Sequence, residues 1–201
     1  MRDGFIDAVN KNQAAFGLEL SESVIERLGD FYEIVQENNS LLHLVAPMPA
    51  EEFAVRHVLE SLTLLEYLPN GTRFADVGTG AGLPAVPCLL AREDLSAVLI
   101  ESKIKKAKFL EAAAAELGIQ ARAAVVNRQF EEADNSGFSI VTCRALDKFT
   151  EKLPRLLKWS RNKKLLFFGG PALRDALTRQ KLRFEEKLMP GSEQRYLFII
   201  H

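Results

Sequence analysis

The chain has 201 residues, of which 47% are hydrophobic and 26% are charged. This length and composition predict one globular domain with a sizeable core, and no apolar run approaches the roughly 18 residues needed to span a bilayer. Two cysteines are too few for a disulfide framework, and the first residues lack the pattern of a secretory signal, so a cytoplasmic location is expected. The histidines, His43, His57 and His201, lack metal-ligand spacing, so no metal site is expected.

The net charge of −1 conceals a difference between the two halves of the chain. Residues 1–100 contain 15 acidic and 6 basic side chains, whereas residues 101–201 contain 12 acidic and 20 basic ones. Such asymmetry indicates one face for an anionic partner such as a nucleic acid. The alternative is that these charges hydrate helices all round the molecule.

Hydrophobic residues recur at helical spacing in three segments before the first predicted strand. Ser21 is expected to cap the second of these helices. Together the three are too small to bury an independent core. We therefore expect residues 1–70 to form a helical cap within the same domain as a core of residues 71–201. The three predicted helices cover residues 4–16, about 21–38 and about 51–67.

From Arg73 onward, predicted strands alternate with predicted helices, a pattern typical of a mostly parallel sheet covered on both sides. The turn Pro190-Gly191-Ser192 is so short that it can join only antiparallel strands. The chain is thus predicted to have an α/β fold with a seven-stranded, mostly parallel sheet that ends in a C-terminal antiparallel hairpin. The predicted strands are 73–78, 96–101, 121–127, 139–144, 164–168, 182–189 and 196–200, and the helices between them are about 84–92, 103–117, 148–160 and 171–180.

The most informative stretch is Phe74-Ala75-Asp76-Val77-Gly78-Thr79-Gly80-Ala81-Gly82-Leu83-Pro84, in which a strand leads into three alternate glycines. Glycines at this spacing let the backbone turn sharply and approach a ligand closely. Pro84 suits the first position of a following helix. Strand, glycine turn and helix in this order begin a nucleotide-binding α/β unit. The alternative is that the glycines serve only the turn.

Two classes of nucleotide cofactor match this loop. The run Gly80-x-Gly82-x-x-Ala85 satisfies the dinucleotide fingerprint, and Glu101 follows about 20 residues on, as a ribose-binding acid would. However, Asp76 is predicted to repel a pyrophosphate, and proline removes one N–H donor from the helix start. S-adenosylmethionine, which is cationic at this end and carries a ribose, fits better. The alternative role of Glu101 is to cap the next helix.

Later strands are followed by further candidate binding residues. Arg144 could bind the cofactor's carboxylate, a substrate phosphate or a base edge, unless it is an ordinary surface arginine. An adenine could lie against Phe130 with Gln129 at its amino edge, unless Phe130 simply packs in a loop. Cys143 raises the idea of a thiolate nucleophile, although a buried, inert cysteine is the stronger interpretation.

Four lysines follow Glu101 on the same predicted helix: Lys103, Lys105, Lys106 and Lys108. They are predicted to bind RNA by contacting its phosphates without reading sequence. The alternative is an ordinary solvated helix face.

With these residues placed, the chain resembles the ribosomal small-subunit methyltransferase G family. The resemblance implies a Rossmann-like class I methyltransferase fold and a monomer. It also implies S-adenosylmethionine-dependent methylation of a guanine N7 in the 530-loop of 16S rRNA, within the small ribosomal subunit. The matching blocks are Arg56-His57-Val58-Leu59-Glu60-Ser61, the loop Asp76–Pro84, Glu101-Ser102 with its lysine-rich helix, Arg144-Ala145, and Gln194-Arg195-Tyr196-Leu197.

Together, the residues and the resemblance nominate nine cofactor-binding positions. No general base is expected, because guanine N7 loses no proton when it is methylated. Orientation is the expected means of catalysis, and Arg144 is the candidate for positioning substrate or cofactor. The nine positions are Asp76, Gly78, Gly80, Gly82, Leu83, Glu101, Gln129, Phe130 and Arg144.

The chain also departs from the family pattern in two places. Where members often carry Trp-Asn-(three residues)-Asn-Leu-Thr, it has Asn38-Asn39 and then His43-Leu44-Val45, and where many carry Lys-Gly after the fifth strand it has Gly169-Gly170. Other hypotheses are a class I methyltransferase with another RNA, protein or small-molecule acceptor, a nicotinamide-dependent oxidoreductase, and a non-catalytic RNA-binding assembly factor.

Overall fold

The computed structural model describes all 201 residues, and seven of its segments form one sheet in the order β3-β2-β1-β4-β5-β7-β6. Neighbouring strands among the first five run parallel, and the seventh pairs antiparallel with both the fifth and the sixth. This arrangement confirms the predicted sheet and its C-terminal hairpin. The strands are β1 (Arg73–Val77), β2 (Ser96–Ile100), β3 (Ala123–Val126), β4 (Ile140–Arg144), β5 (Lys164–Gly169), β6 (Phe184–Leu188) and β7 (Tyr196–Ile200).

Eight α-helical segments surround the sheet, and none is both long and apolar enough to cross a membrane. The Ser21 hydroxyl accepts a hydrogen bond from the N–H of Val24 at 3.4 Å and caps the second helix, as predicted. The segments are α1 (Arg2–Asn12), α2 (Glu22–Leu42), α3 (Ala50–Phe53), α4 (Glu60–Leu62), α5 (Ala85–Ala91), α6 (Ile104–Glu116), α7 (Phe149–Trp159) and α8 (Pro171–Arg179).

The structure corrects several predicted helix boundaries, and two of them lie next to the candidate site. The segment expected as one helix over 51–67 contains a π-helical turn at Ala54–Leu59 and a 3₁₀ turn at Thr63–Tyr67, with α3 and α4 beside them. Single π-helical turns inside helices occur frequently at functional sites. Pro84 is the residue before α5 rather than its first residue.

The sheet separates two hydrophobic clusters. Phe74 in β1 belongs to the larger cluster, which also contains Phe5, Leu28 and Phe53 from the helices that precede the sheet. The next residue, Ala75, belongs to the smaller cluster on the opposite face, under α7 and α8. Successive side chains of a strand point to opposite faces, so this division follows from the strand period. The assignment of residues 1–70 as a cap on a core of residues 71–201 stays a prediction.

The strand order determines where a ligand cleft can form. β1 is flanked by β2 on one side and by β4 on the other, so the chain reverses its direction of travel across the sheet after β3. Open α/β sheets bind ligands outside the carboxyl ends of their strands at such a point. The glycine loop, Glu101 and Arg144 all lie at this edge.

Candidate functional site

The three glycines of the loop after β1 all have positive φ, but they serve different purposes. A Cβ atom at Gly78 would lie 2.6 Å from Leu146 Cδ1, and one at Gly82 would lie 2.5 Å from Val86 Cγ2. At Gly80 the nearest atom would be 3.8 Å away, so only its φ of +57° favours glycine. Gly82 therefore allows close packing on α5, whereas Gly78 and Gly80 face a cavity.

This first cavity has a volume of about 500 Å³, within the range of small-molecule sites. It opens at the carboxyl ends of the central strands and is closed on one side by the segment Leu44–Ala46, which follows α2. Six of the nine residues nominated for cofactor binding line it. They are Gly78, Gly80, Leu83, Glu101, Gln129 and Arg144.

The other three nominated residues do not line the cavity, and Asp76 is the most instructive. Its side chain is 0% exposed because it points from the centre of β1 toward α5. Its carboxylate accepts hydrogen bonds from the Thr142 hydroxyl at 3.1 Å and from the Ala85 N–H at 3.4 Å. Burial raises the pKa of Asp76 to about 7. Asp76 thus joins β1, β4 and the start of α5 beneath the loop, and its part in cofactor binding stays a prediction.

Phe130 and Gly82 are the other two nominated residues that do not line the cavity, and their part in cofactor binding stays a prediction. Phe130 is buried and its ring packs edge-on against Trp159, with the ring centres 5.9 Å apart. Its apolar surface is therefore largely used in the core. Gly82 faces Val86, as described above, and contacts helix rather than cavity.

Glu101 lies where the glycine loop, the start of α6 and the first cavity meet, and its part in ribose binding stays a prediction. It lines the first cavity just beyond β2, with little exposure to solvent. One carboxylate oxygen accepts the Gly80 N–H at 3.1 Å, and the other accepts the Lys103 N–H at 2.8 Å, at the start of α6. The side chain thus ties the glycine loop to the next helix and still borders the cavity.

Of the four predicted RNA-binding lysines, two line the first cavity and two lie outside it. Lys103 and Lys106 line the first cavity, and the Lys106 ammonium donates to the backbone oxygen of His43 at 3.0 Å. Lys105 and Lys108 are exposed and lie outside the cavity. Lys152 of α7 lines the same cavity. Basic side chains from α6 and α7 therefore border its opening.

A buried ionic cluster lies behind Arg144. Glu60 is 1% exposed, and its two carboxylate oxygens accept hydrogen bonds from Arg144 at 3.1 Å and from Arg195 at 2.6 Å. Arg144 also donates to the backbone oxygen of Arg56. The structure thus brings three of the sequence blocks, 56–61, 144–145 and 194–197, to one place.

His57 lies between this cluster and the first cavity. Burial lowers its pKa to about 3, and the charges of Arg144, Arg56 and Arg195 add to that effect. Neither ring nitrogen has a hydrogen-bond partner within the protein. His57 is therefore a neutral imidazole at the cavity wall, with a free donor and a free acceptor.

Sequence reasoning did not nominate His57, Glu60 or Arg195 as site residues, although it quoted the blocks that contain them. One signal was available. Glu60 stands beside Leu59 and Leu62, on the inward side of an apolar helix, where an acid needs a basic partner. Nothing in the sequence identified which arginines would supply that partnership.

Cys143 is buried, and burial raises the pKa of its thiol well above the usual value, so a thiolate nucleophile is disfavoured. No group of three or more His, Cys, Asp or Glu side chains is arranged to hold a metal ion.

Comparison with known proteins gives the family. The family model described as "rRNA small subunit methyltransferase G" matches residues 24–188. The chain belongs to this family. Proteins named ribosomal RNA small subunit methyltransferase G from Nitrosospira multiformis and Sorangium cellulosum are 38% and 40% identical over 138 and 147 residues. These alignments cover 69% and 70% of this chain but 63% and 62% of the relatives, so the match spans a little under two thirds of their length.

Solved structures support the same fold at low sequence identity. An RNA methyltransferase from Salinibacter ruber, solved with S-adenosyl-L-homocysteine, is 18% identical with a TM-score of 0.56, covering 77% of this chain and 92% of that one. The B. subtilis tRNA methyltransferase TrmK is 17% identical with a TM-score of 0.51, covering 70% and 64%. Both likenesses show the Rossmann-like methyltransferase fold.

The chain departs from the pattern of the methyltransferase G family in segment 38–45 and at Gly169-Gly170, and these two places lie on opposite sides of Arg144. Val45 lines the first cavity and its N–H donates to the Asn39 side chain at 3.0 Å, so the altered segment 38–45 forms part of the wall. A Cβ atom at Gly169 would lie 2.5 Å from Leu173 Cδ2. Packing of α8 on the end of β5 therefore leaves no room for a lysine side chain at that position in this chain.

Proposed function

We propose that this chain is an S-adenosylmethionine-dependent methyltransferase that methylates guanine N7 in the 530-loop of 16S rRNA, within the small ribosomal subunit. The observation that carries the proposal is the convergence of Gly78, Gly80, Glu101, Gln129 and Arg144 on one cavity in a member of the methyltransferase G family. By the same family likeness we propose that it acts as a cytoplasmic monomer.

The polar groups of the first cavity fit this cofactor. Glu101 offers carboxylate oxygens to ribose hydroxyls. Arg144 has a buried guanidinium nitrogen, Nη1, that makes no hydrogen bond within the protein and is suited to the carboxylate of the cofactor. His57 borders the same cavity as a neutral imidazole whose two ring nitrogens are buried and have no partner within the protein. When bound, S-adenosylmethionine supplies an electrophilic methyl group and leaves as S-adenosylhomocysteine.

Hydrogen bonding within the glycine loop argues against a dinucleotide. A pyrophosphate is held by free backbone N–H groups at such a loop and at the helix start. Here the N–H groups of 78, 79, 80, 82, 83, 85 and 86 are all bonded within the protein, and position 84 is proline. Ala81 alone keeps a free N–H. This argument replaces the expected repulsion by Asp76, which is buried.

The chemistry asks the protein for orientation and not for a base. Guanine N7 attacks with a lone pair and releases no proton, so general-base catalysis has no role. Holding two reacting atoms in line can supply about 7–11 kcal/mol. His57, with a pKa of about 3, stays neutral throughout the physiological range and is suited to hydrogen bonding.

The test is transfer of labelled methyl groups from S-adenosylmethionine to small ribosomal subunits and, separately, to naked 16S rRNA, followed by chain cleavage at N7-methylguanine. We expect label and cleavage in the 530-loop with the native chain and neither with Gly78→Val. Cofactor binding without rRNA labelling would redirect the search to another RNA, a protein or a small molecule. Absence of both would favour the oxidoreductase or the assembly factor, which titration with NADH would separate.

A further inference from the structure

The segment that joins β4 to α7, residues 145–148, forms one wall of the first cavity, and we call it the flap. All of its residues except the last line that cavity. The floor of the cavity is nearly covered, because Thr79 is 2% exposed and Leu83 and Glu101 are each 6% exposed. A cofactor bound among these groups contacts surfaces that solvent scarcely reaches, so a wall has to move when it enters or leaves.

Both ends of the flap have an unusual backbone conformation. Ala145 has a φ of +52° and Lys148 has a φ of +54°, in the left-handed region. This region is unfavourable for residues with a Cβ atom, because the Cβ crowds the following carbonyl oxygen. Residues in such conformations persist where the surrounding structure holds them, and they occur at ligand clamps and switch regions. The flap therefore has one strained backbone position at each end.

Few interactions hold the flap in place. No N–H group of residues 145–148 donates to a backbone oxygen. Its main anchor is Leu146, which packs against the smaller hydrophobic cluster and places its Cδ1 atom over Gly78, 2.6 Å from where a Cβ atom would lie. Segments with few backbone hydrogen bonds and few buried contacts open at a low free energy. One apolar side chain thus holds this wall closed.

The wall formed by Leu44–Ala46 is held more firmly. The Val45 N–H donates to the Asn39 side chain at 3.0 Å, and the Lys106 ammonium donates to the backbone oxygen of His43 at 3.0 Å. Leu44 is also buried and belongs to the larger hydrophobic cluster. Of the two walls, the flap is therefore the one that opens more readily.

Empty space lies behind the flap. A second cavity, of about 540 Å³, lies at the carboxyl ends of β4 and β5 and is lined by Ala145 and by Phe149, the first residue of α7. Ala145 lines both cavities, so the flap separates one from the other. Outward rotation of the flap meets this space, whereas a segment enclosed in a close-packed core would have none.

We propose that the flap is a gate that turns about Ala145 and Lys148, opens to pass S-adenosylmethionine and S-adenosylhomocysteine, and closes with Leu146 on Gly78. The inference rests on the proposed function for the identity of the ligand. Association and dissociation both begin from the closed form and pass through the open one. A change in gate stability therefore alters both rate constants by the same factor and leaves Kd unchanged. Loss of a binding contact acts mainly on dissociation.

Two exposed lysines in the same backbone conformation provide a matched test. Lys148 is the last residue of the flap, whereas Lys181, just before β6, has a φ of +56° and lines neither cavity. Valine at either position removes one positive charge and makes the left-handed conformation more unfavourable, because its side chain is branched at Cβ. Surface plasmon resonance with S-adenosylhomocysteine as the probe gives both rate constants for each variant.

We expect Lys148→Val to raise the association and dissociation rate constants together by about 5-fold and to change Kd by less than about 2-fold. Lys148→Gly relieves the strained conformation that the closed flap requires, so it should lower both rate constants. Lys181→Val should match the native chain. Lys148→Gly keeps the test decisive if the valine variant folds poorly.

The two buried cysteines report on the gate without any ligand. Burial raises the pKa of the Cys143 thiol well above its usual value, and the Leu146 backbone acts in the opposite direction, which places it beside the thiol. Cys88 lies in α5, within the larger cluster. A disulfide reagent reaches a buried thiol only when the structure around it opens. Peptide mass spectrometry should find faster labelling at Cys143 than at Cys88, and Lys148→Val should raise only the former.

The inference is overturned if Lys148→Val and Lys148→Gly keep native rate constants, if dissociation alone changes, or if Lys181→Val has the same effect. Equal labelling of the two cysteines would also overturn it. Thiol labelling needs neither cofactor nor rRNA, so the gate and the proposed function can fail separately. A chain that methylates no rRNA yet shows gated labelling would contradict the reaction and support the gate. A chain that methylates rRNA with unaltered rates in the Lys148 variants would do the reverse.

Discussion

Glu60 is an acidic side chain buried between two guanidinium groups, and its removal should be among the most destabilising single changes in the protein. Glu60→Gln leaves Arg144 and Arg195 without a compensating charge, and breaking a buried pair lowers the free energy of unfolding by about 3–5 kcal/mol. Glu66→Gln removes an exposed pair with Lys187 and should lower it by less than about 1 kcal/mol. Urea denaturation measures both, and equal losses would show that the cluster contributes no special stability.

His57 makes the stability of the protein depend on pH in a predictable direction. Its pKa is about 3 in the folded state and 6.5 as the ordinary value, so below pH 6.5 the unfolded chain binds a proton that the folded chain does not. The contribution of neutral His57 to the free energy of unfolding is therefore fully present above pH 6.5. It is lost as the pH falls, by about 2 kcal/mol between pH 6.5 and 5.

The check is the unfolding free energy of the native chain and His57→Gln at about pH 7.5 and pH 5. The variant should lose less stability on acidification than the native chain does. His201→Gln, at the exposed C-terminal residue, should keep the native dependence. A His57→Gln slope equal to the native one would mean that His57 is protonated in the folded protein.

At the scale of elements, the glycine loop and α5 form one packed unit. Gly82 has a φ of +90° and lies against Val86, whereas Gly118, at the end of α6, has a φ of +67° and open space around it. Gly118→Ala should therefore lower stability by about 1–2 kcal/mol through its backbone alone. Gly82→Ala meets the same backbone penalty together with a collision.

We expect Gly82→Ala to shift the start of α5 and, through the loop, to weaken S-adenosylhomocysteine binding by at least about 10-fold, or 1.4 kcal/mol. Gly118→Ala should bind it normally. Calorimetric titration and thermal unfolding of the two variants give the comparison. Native cofactor affinity in Gly82→Ala would mean that α5 can move without disturbing the first cavity.

At the scale of the whole molecule, lysines from the basic half of the chain, residues 101–201, line the opening of the first cavity. It is lined by Lys103 just before α6, by Lys106 of α6 and by Lys152 of α7, and exposed Lys105 and Lys108 continue along α6. Phosphate contacts by exposed lysines release counterions, and each adds about 0.7–0.9 to the slope of log affinity against log salt.

Charge reversal of Lys105 and Lys108 to glutamate should thus weaken rRNA binding and flatten its salt slope by about 1–2. Reversal of Lys181 and Arg183, exposed residues just before β6, keeps the same net charge change and serves as the control. Filter binding over a series of salt concentrations gives the slopes. Equal slopes in the two double variants would place the RNA face away from α6.

Much of this fold was predictable from local patterns. Strand and helix periods, the short turn at Pro190-Gly191-Ser192 and the glycine spacing each depend on neighbouring residues, and the seven strands and their hairpin are confirmed. The π-helical turn at Ala54–Leu59 was not predictable in this way. Its apolar residues, Val55, Val58 and Leu59, recur at the three- and four-residue intervals of an ordinary helix, so the pattern alone does not distinguish the two.

The sequence by itself determined the sheet, the glycine loop and six of the residues that line the first cavity, because strand ends and glycines act through local geometry. The tertiary structure alone decided that Asp76 and Phe130 are buried, and that Glu60 joins Arg144 to Arg195. Partners more than 80 residues apart in the chain meet only when α4, β4 and the start of β7 pack together. Burial and charge pairing are properties of that packing, and no local pattern contains them.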